Sequence, residues 1–94
     1  MSTPIATRRV VVSNPQGIHA RPSGQLVKTA GGFASDIVVR NLSNGAEANA
    51  KFLLEVMTLI ATKGSELEFE ARGDDADAAV AALAALVESG FGES

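Results

Sequence analysis

Residues Glu66-Leu67-Glu68-Phe69-Glu70-Ala71 alternate acid and apolar without a break. Successive side chains of a strand point to opposite faces, so Leu67, Phe69 and Ala71 share the core side and the three glutamates share the water side. A strand wet on one face belongs to a sheet covered on the other face only. With 94 residues there is room for one small core and no second one, so the whole chain, 1–94, reads as a single domain.

The remaining elements follow from shorter signals. Arg9–Ser13 is β-branched and ends in the turn Asn14-Pro15-Gln16-Gly17, which predicts a strand with Val10 and Val12 inward. From Ala20 to Ala30 the residues Leu26, Val27 and Ala30 recur at helical spacing. Pro22 is tolerated in a first turn, and Gly31-Gly32 stops the helix. Asp36–Arg40 and Ala46–Ala50 flank the turn-rich Asn41–Gly45 and predict a hairpin with Ala46, Ala48 and Ala50 on one face. Phe52, Leu53, Val56, Leu59 and Ile60 suggest a helix over Lys51–Ile60, ending before Lys63-Gly64. After the alternating strand, Asp74 is expected to cap a last helix, with Asp75 and Asp77 near its positive end. Val80, Leu83, Leu86 and Val87 form that helix's buried stripe, and Gly90 closes it. The order β-α-β-β-α-β-α implies an α+β, open-faced β-sandwich, a four-stranded and mostly antiparallel sheet covered on one face by three helices.

Composition removes several function classes. A hydrophobic fraction of 46% with 20% charged residues is that of a globular chain and not of a disordered one. The only aromatics are four Phe, and the net charge is −3, which together argue against nucleic-acid binding. No cysteine is present, so neither a disulfide framework nor a thiolate metal site is available, and a reducing compartment fits. Met1–Thr7 lacks an apolar signal core and no run approaches eighteen apolar residues, so a cytoplasmic, soluble chain without membrane insertion is expected. The charge is unevenly distributed: residues 1–64 carry +4 and residues 65–94 carry −7. That asymmetry favours an acidic or phosphoryl partner on the earlier part if the fold keeps those side chains together; two ordinary solvated faces would account for it equally well.

The single histidine, His19, stands directly before the first predicted helix in Gly17-Ile18-His19-Ala20-Arg21-Pro22-Ser23. The unpaired N–H groups of a first helical turn face an anion placed there, and Arg21 adds planar cationic donors suited to phosphate oxygens. An imidazole is a nucleophile at neutral pH that can accept a phosphoryl group and release it. A lone histidine at a helix start is nonetheless ordinarily a capping or surface residue, and the local pattern alone does not overturn that reading. One His without Cys or a second spaced His cannot build a closed metal site, so no metal is expected. Ser23, four residues along the same helix, lacks an identified acid to complete a hydrolase triad.

The segment Gly17–Ser23, followed by Leu26-Val27 and Ala30, resembles the active-site signature of the HPr family, the histidine-containing phosphocarriers of the bacterial phosphoenolpyruvate-dependent phosphotransferase system. The resemblance spans roughly residues 8–91 and takes in Gly32-Phe33, Ala50-Lys51, Val56–Leu59 and Lys63-Gly64. It implies that His19 receives a phosphoryl group on Nδ1 from phosphorylated enzyme I and passes it to an enzyme IIA domain, for sugar uptake. Arg21 would neutralise the phosphoryl charge, and the amides of Ala20 and Arg21 would bind its oxygens. Phe52, Leu53, Leu54 and Met57, with Gly24 and Lys28, would form the partner-docking patch. Core packing is the alternative for the first three, but three consecutive helical residues cannot all face inward. No Walker motif and no residue set for binding a nucleotide or phosphoenolpyruvate is visible, so neither a cofactor nor activity in isolation is expected, and the chain is expected to be a monomer.

Two departures bear on regulation. Many members carry a serine, phosphorylated by a dedicated kinase, directly after the lysine that opens the second helix; here Phe52 follows Lys51 and has no hydroxyl. Glu55 stands where some members are basic, which makes the docking rim less positive. The ending Ser89-Gly90-Phe91-Gly92-Glu93 is similar to that of the nitrogen-related branch, NPr. A carrier or regulatory binding module of that branch is therefore the alternative function, with phosphorylation changing the charge at the docking surface.

Overall fold

The alternating segment forms the central part of the sheet. In the computed structural model, which describes residues 3–93, the chain runs β1 (Ile5–Val11), α1 (Ala20–Gly31), β2 (Asp36–Asn41), β3 (Ala46–Asn49), α2 (Leu53–Met57), β4 (Glu66–Arg72) and α3 (Ala76–Glu88), then a 3-10 turn at Gly90–Gly92. The strand order is β1-β4-β2-β3, and every pair is antiparallel. Leu67, Phe69 and Ala71 of β4 are fully buried, as the alternation requires. They join Val10, Val12, Ile37, Val39 and Ala48 from the sheet and Leu26, Val56, Val80, Leu83 and Val87 from the helices in one core. The architecture is thus the expected α+β open-faced sandwich.

The outer face of the sheet is wet but not bare. Register places Arg9 of β1 and Arg40 of β2 directly opposite Glu68. Arg9 Nε lies 3.2 Å from Glu68 Oε2, and Arg40 Nη1 reaches Glu68 Oε1 at 3.3 Å and Glu70 Oε1 at 3.2 Å. Arg40 Nε also meets Glu47 Oε2 at 2.7 Å, and Arg72 Nε meets Glu70 Oε2 at 3.0 Å. Glu68 and Glu70 are therefore half-buried under arginines, and of the three glutamates only Glu66 is exposed. The Arg72 and Arg40 guanidiniums hold the Glu70 carboxyl below its ordinary value.

Several expectations need correction. The first strand begins at Ile5 and not Arg9, because β4 is long enough to pair with it from Arg72 to Glu66. Val12 has left the ladder, but its N–H still donates to Ser65 O at 2.9 Å and its side chain is buried. The last helix begins after Asp75 and not Asp74. Asp74 is therefore not the cap: Asp75 takes that position and makes no side-chain capping bond, its carboxylate accepting instead from the backbone N–H groups of Ala34 (2.8 Å) and Ser35 (2.9 Å) and from the Ser35 hydroxyl.

The largest difference is in α2, which covers five residues and not the ten of Lys51–Ile60. After Thr58 the carbonyl of Leu59 accepts the side-chain amides of Asn41 and Asn44, each at 3.0 Å, and Ile60 turns to φ +49°. Side-chain donors from the β2–β3 turn thus pull the chain off its helical path. Val56 and Leu59 are buried, whereas Ile60, expected to follow the helical spacing, is 73% exposed.

Candidate functional site

The loop between β1 and α1 is tied at both ends before it reaches His19. Gly17 N–H donates to Asn14 O at 3.1 Å, and Asn14 Nδ2 donates back to Gly17 O at 2.6 Å, closing the Asn14-Pro15-Gln16-Gly17 turn. Gly17 has φ +68°, and a Cβ there would strike the carbonyl of Ala61 and come within 2.8 Å of Thr62 Cα. Ile18 N–H donates to that same Ala61 carbonyl at 2.8 Å. The turn after α2 is therefore the floor on which the β1–α1 loop rests.

His19 is the N-cap of α1, with extended backbone and no side-chain capping bond, so its ring is not committed to the helix. Its carbonyl accepts both the N–H (3.0 Å) and the hydroxyl (2.7 Å) of Ser23. That use of the Ser23 hydroxyl separates it from the imidazole and leaves the triad reading without a nucleophile. Pro22 has no N–H, and that of Ser23 is taken, so the first-turn donors ahead of the ring are the amides of Ala20 and Arg21. No acidic residue occupies this turn, and the positive end of the helix dipole is uncompensated from within α1.

The imidazole is 37% exposed, and its Nε2 lies 3.1 Å from Glu93 Oε2. The other oxygen, Glu93 Oε1, accepts from Asn14 Nδ2 at 3.0 Å. Glu93 reaches this place because Phe91 is buried, at φ +57° between Gly90 and Gly92, and turns the end of the chain back over the loop. Arg21 is exposed and, with Pro15, Gln16, Gly92 and Glu93, lines a shallow groove beside the ring. His19, Ala20 and Arg21 thus converge at one helix end, in an arrangement able to hold an anion on a nucleophilic nitrogen.

The residues singled out for docking are all at the surface. Phe52, Leu53, Leu54 and Met57 are exposed, Leu54 at 80%, and all three residues of the Phe52–Leu54 run face outward. Gly24 and Lys28 are exposed on α1, which packs against α2. Reasoning from sequence missed the exposure of Ile60 and the places of Asn14 and Glu93 at the site. A phenylalanine between two glycines near the end of a chain was a readable sign of an anchored turn, but nothing local indicated where Glu93 would land.

Comparison with known proteins agrees with this geometry. Residues 6–89 match the family described as "PTS HPr component phosphorylation site". The multiphosphoryl transfer protein of Salmonella typhimurium is 40% identical over 90 residues, 95% of this chain, but the chain spans only 24% of that protein's length. The phosphocarrier protein NPr of Escherichia coli (strain K12) is 38% identical over 84 residues, covering 89% of this chain and 92% of NPr. Among solved structures, HPr-C-His from Thermoanaerobacter tengcongensis superposes with a TM-score of 0.86 at 36% identity, covering 95% of this chain and 98% of its own. A matching family over residues 6–89, a coextensive relative and a shared fold lead to one conclusion: the chain belongs to the HPr family.

Proposed function

We propose that this chain is a phosphocarrier that accepts a phosphoryl group on His19 Nδ1 from phosphorylated enzyme I and delivers it to an enzyme IIA domain. The observation that carries this reading is the half-exposed ring of His19 at the front of α1, free of any capping duty and adjacent to the Ala20 and Arg21 amides. The Nδ1 lone pair forms the N–P bond while the bond from phosphorus to the donor breaks, its electron pair leaving with the donor. Transfer onward reverses these roles, with the imidazole as leaving group. The phosphoryl oxygens are met by two backbone N–H groups and by the Arg21 guanidinium, which stabilise its charge. The exposed Phe52, Leu53, Leu54 and Met57, with Gly24 and Lys28, serve as the surface on which donor and acceptor dock in turn.

The nitrogen-related branch is a second reading, favoured by two observations. NPr, at 38% identity over 92% of its length, is as similar to this chain as the HPr structure is, and the ending Ser89-Gly90-Phe91-Gly92-Glu93 is similar to that of the branch. Intact mass after incubation with phosphoenolpyruvate, magnesium and the enzyme I of either branch from the source organism tests both. One acid-labile phosphoryl group on the wild type and none on His19→Ala is the expected result, and the enzyme I that supplies it assigns the branch. Phosphorylation of the His19→Ala protein, or of neither protein by both enzymes, overturns the reading.

A further inference from the structure

We propose that Glu93 is a positioning residue for this transfer: held by Asn14, it keeps the neutral His19 ring in the tautomer whose Nδ1 lone pair is free. The inference rests on the phosphocarrier reading and extends it to a residue at the opposite end of the chain.

An ionised carboxylate has only acceptor sites. With Glu93 Oε2 at 3.1 Å, the ring nitrogen that faces it, Nε2, must carry the hydrogen. A neutral imidazole has one N–H, so the hydrogen on Nε2 leaves Nδ1 as an unprotonated lone pair. Nδ1 has no hydrogen-bond partner among the described residues. When the N–P bond forms, positive charge develops on the ring, and the carboxylate beside Nε2–H stabilises it.

The carboxylate is itself fixed. Asn14 is 2% exposed, and its Nδ2 donates to both Gly17 O (2.6 Å) and Glu93 Oε1 (3.0 Å). Both neighbours are acceptors, so the amide can turn only its NH2 group toward them, and its Oδ1 is left buried without a partner. A buried amide with an unsatisfied oxygen is costly, and here its NH2 group, committed to both acceptors, fixes the orientation of Glu93. Phe91 supplies the anchor that brings the carboxylate within reach.

This arrangement makes Glu93→Gln more informative than truncation. Asn14 Nδ2 would retain the glutamine oxygen as its acceptor, which turns the glutamine NH2 toward His19. Nε2 must then accept, the hydrogen moves to Nδ1, and the nucleophilic lone pair is lost. Ring-nitrogen chemical shifts of the full chain, read at a pH where the ring is neutral, should show the Nε2–H tautomer in the wild type and a shift toward Nδ1–H in Glu93→Gln. Glu93→Ala should lie between them. In parallel, the initial rate of phosphorylation by phosphorylated enzyme I should fall about tenfold or more in Glu93→Gln, the scale of one charge-assisted hydrogen bond, and less in Glu93→Ala. A Glu93→Gln protein with either an unchanged tautomer or an unchanged rate overturns the proposal. If the wild type accepts no phosphoryl group from enzyme I, the phosphocarrier reading fails, and the ring-nitrogen shifts alone decide the pairing.

Discussion

Asp75 shows how one carboxylate can hold a loop to a helix start. It accepts from two backbone N–H groups and the hydroxyl of Ser35, and these bonds, with that from Ser35 first and that from Ala34 N–H next, keep its carboxyl below the ordinary aspartate value. A carboxyl depressed in the folded state stabilises the fold above its unfolded value, and that contribution is lost as pH falls through the folded one. Asp75→Asn should therefore lower the urea midpoint near neutrality and flatten its decline on acidification from about pH 5 downward. An unflattened decline would mean that Asp75 is not a source of the acid sensitivity. Arg21 is the contrasting case, since its exposed side chain takes part in none of the hydrogen bonds or ion pairs among the described residues. Arg21→Ala should leave stability within about 0.5 kcal/mol while slowing phosphoryl acceptance, and Arg21→Lys should restore only part of the rate because an ammonium lacks the planar fork. Stopped-flow phosphorylation beside thermal melting separates the two effects.

At the scale of elements, legibility followed how local each cause was. The alternation of β4, the Gly31-Gly32 stop and the turn before Gly17 are properties of neighbouring residues, and the strands and helices they predict are present within a few residues. The place of His19 at a helix start was equally local, and the structure makes it the N-cap. By contrast, α2 is cut short by Asn41 and Asn44, which bind Leu59 O from fifteen or more residues away, and no hydropathy period carries that information. The same distance hid Glu93, which meets His19 across 74 residues of sequence. Apolar residues only five apart, Leu54 within α2 and Leu59 just after it, have opposite roles. Leu59→Ala should cost about 2–5 kcal/mol by leaving a hole in the core, measured by urea unfolding. Leu54→Ser should change stability by no more than about 0.5 kcal/mol and instead weaken docking, read as a raised KM for this chain as substrate of enzyme I. Equal destabilisation by the two substitutions would contradict the exposed place of Leu54 and the buried place of Leu59.

For the whole molecule, the charge imbalance along the sequence does not become two oppositely charged faces. Folding brings Arg9 and Arg40 from the basic part onto the same outer sheet face as Glu68 and Glu70 from the acidic part, so the halves neutralise each other there. Arg21 and Lys28 of α1 take no part in that network. Arg40 is its hub, in contact with Glu47, Glu68 and Glu70, and of these Glu47 foremost, then Glu70, strengthen its hold on its proton. Its removal would leave two half-buried carboxylates side by side on neighbouring outward positions of β4 without the cation they share. Arg40→Met keeps much of the aliphatic packing and should cost about 1 kcal/mol near pH 7, the upper range for an exposed ion pair because several charges converge on one guanidinium. The deficit should shrink toward about pH 3, since protonated carboxyls neither need the guanidinium nor repel one another. Urea unfolding of both proteins across that range measures it directly. A deficit that stays constant with pH would assign the effect of Arg40 to packing, and the sheet's outer face would then owe its stability to register alone.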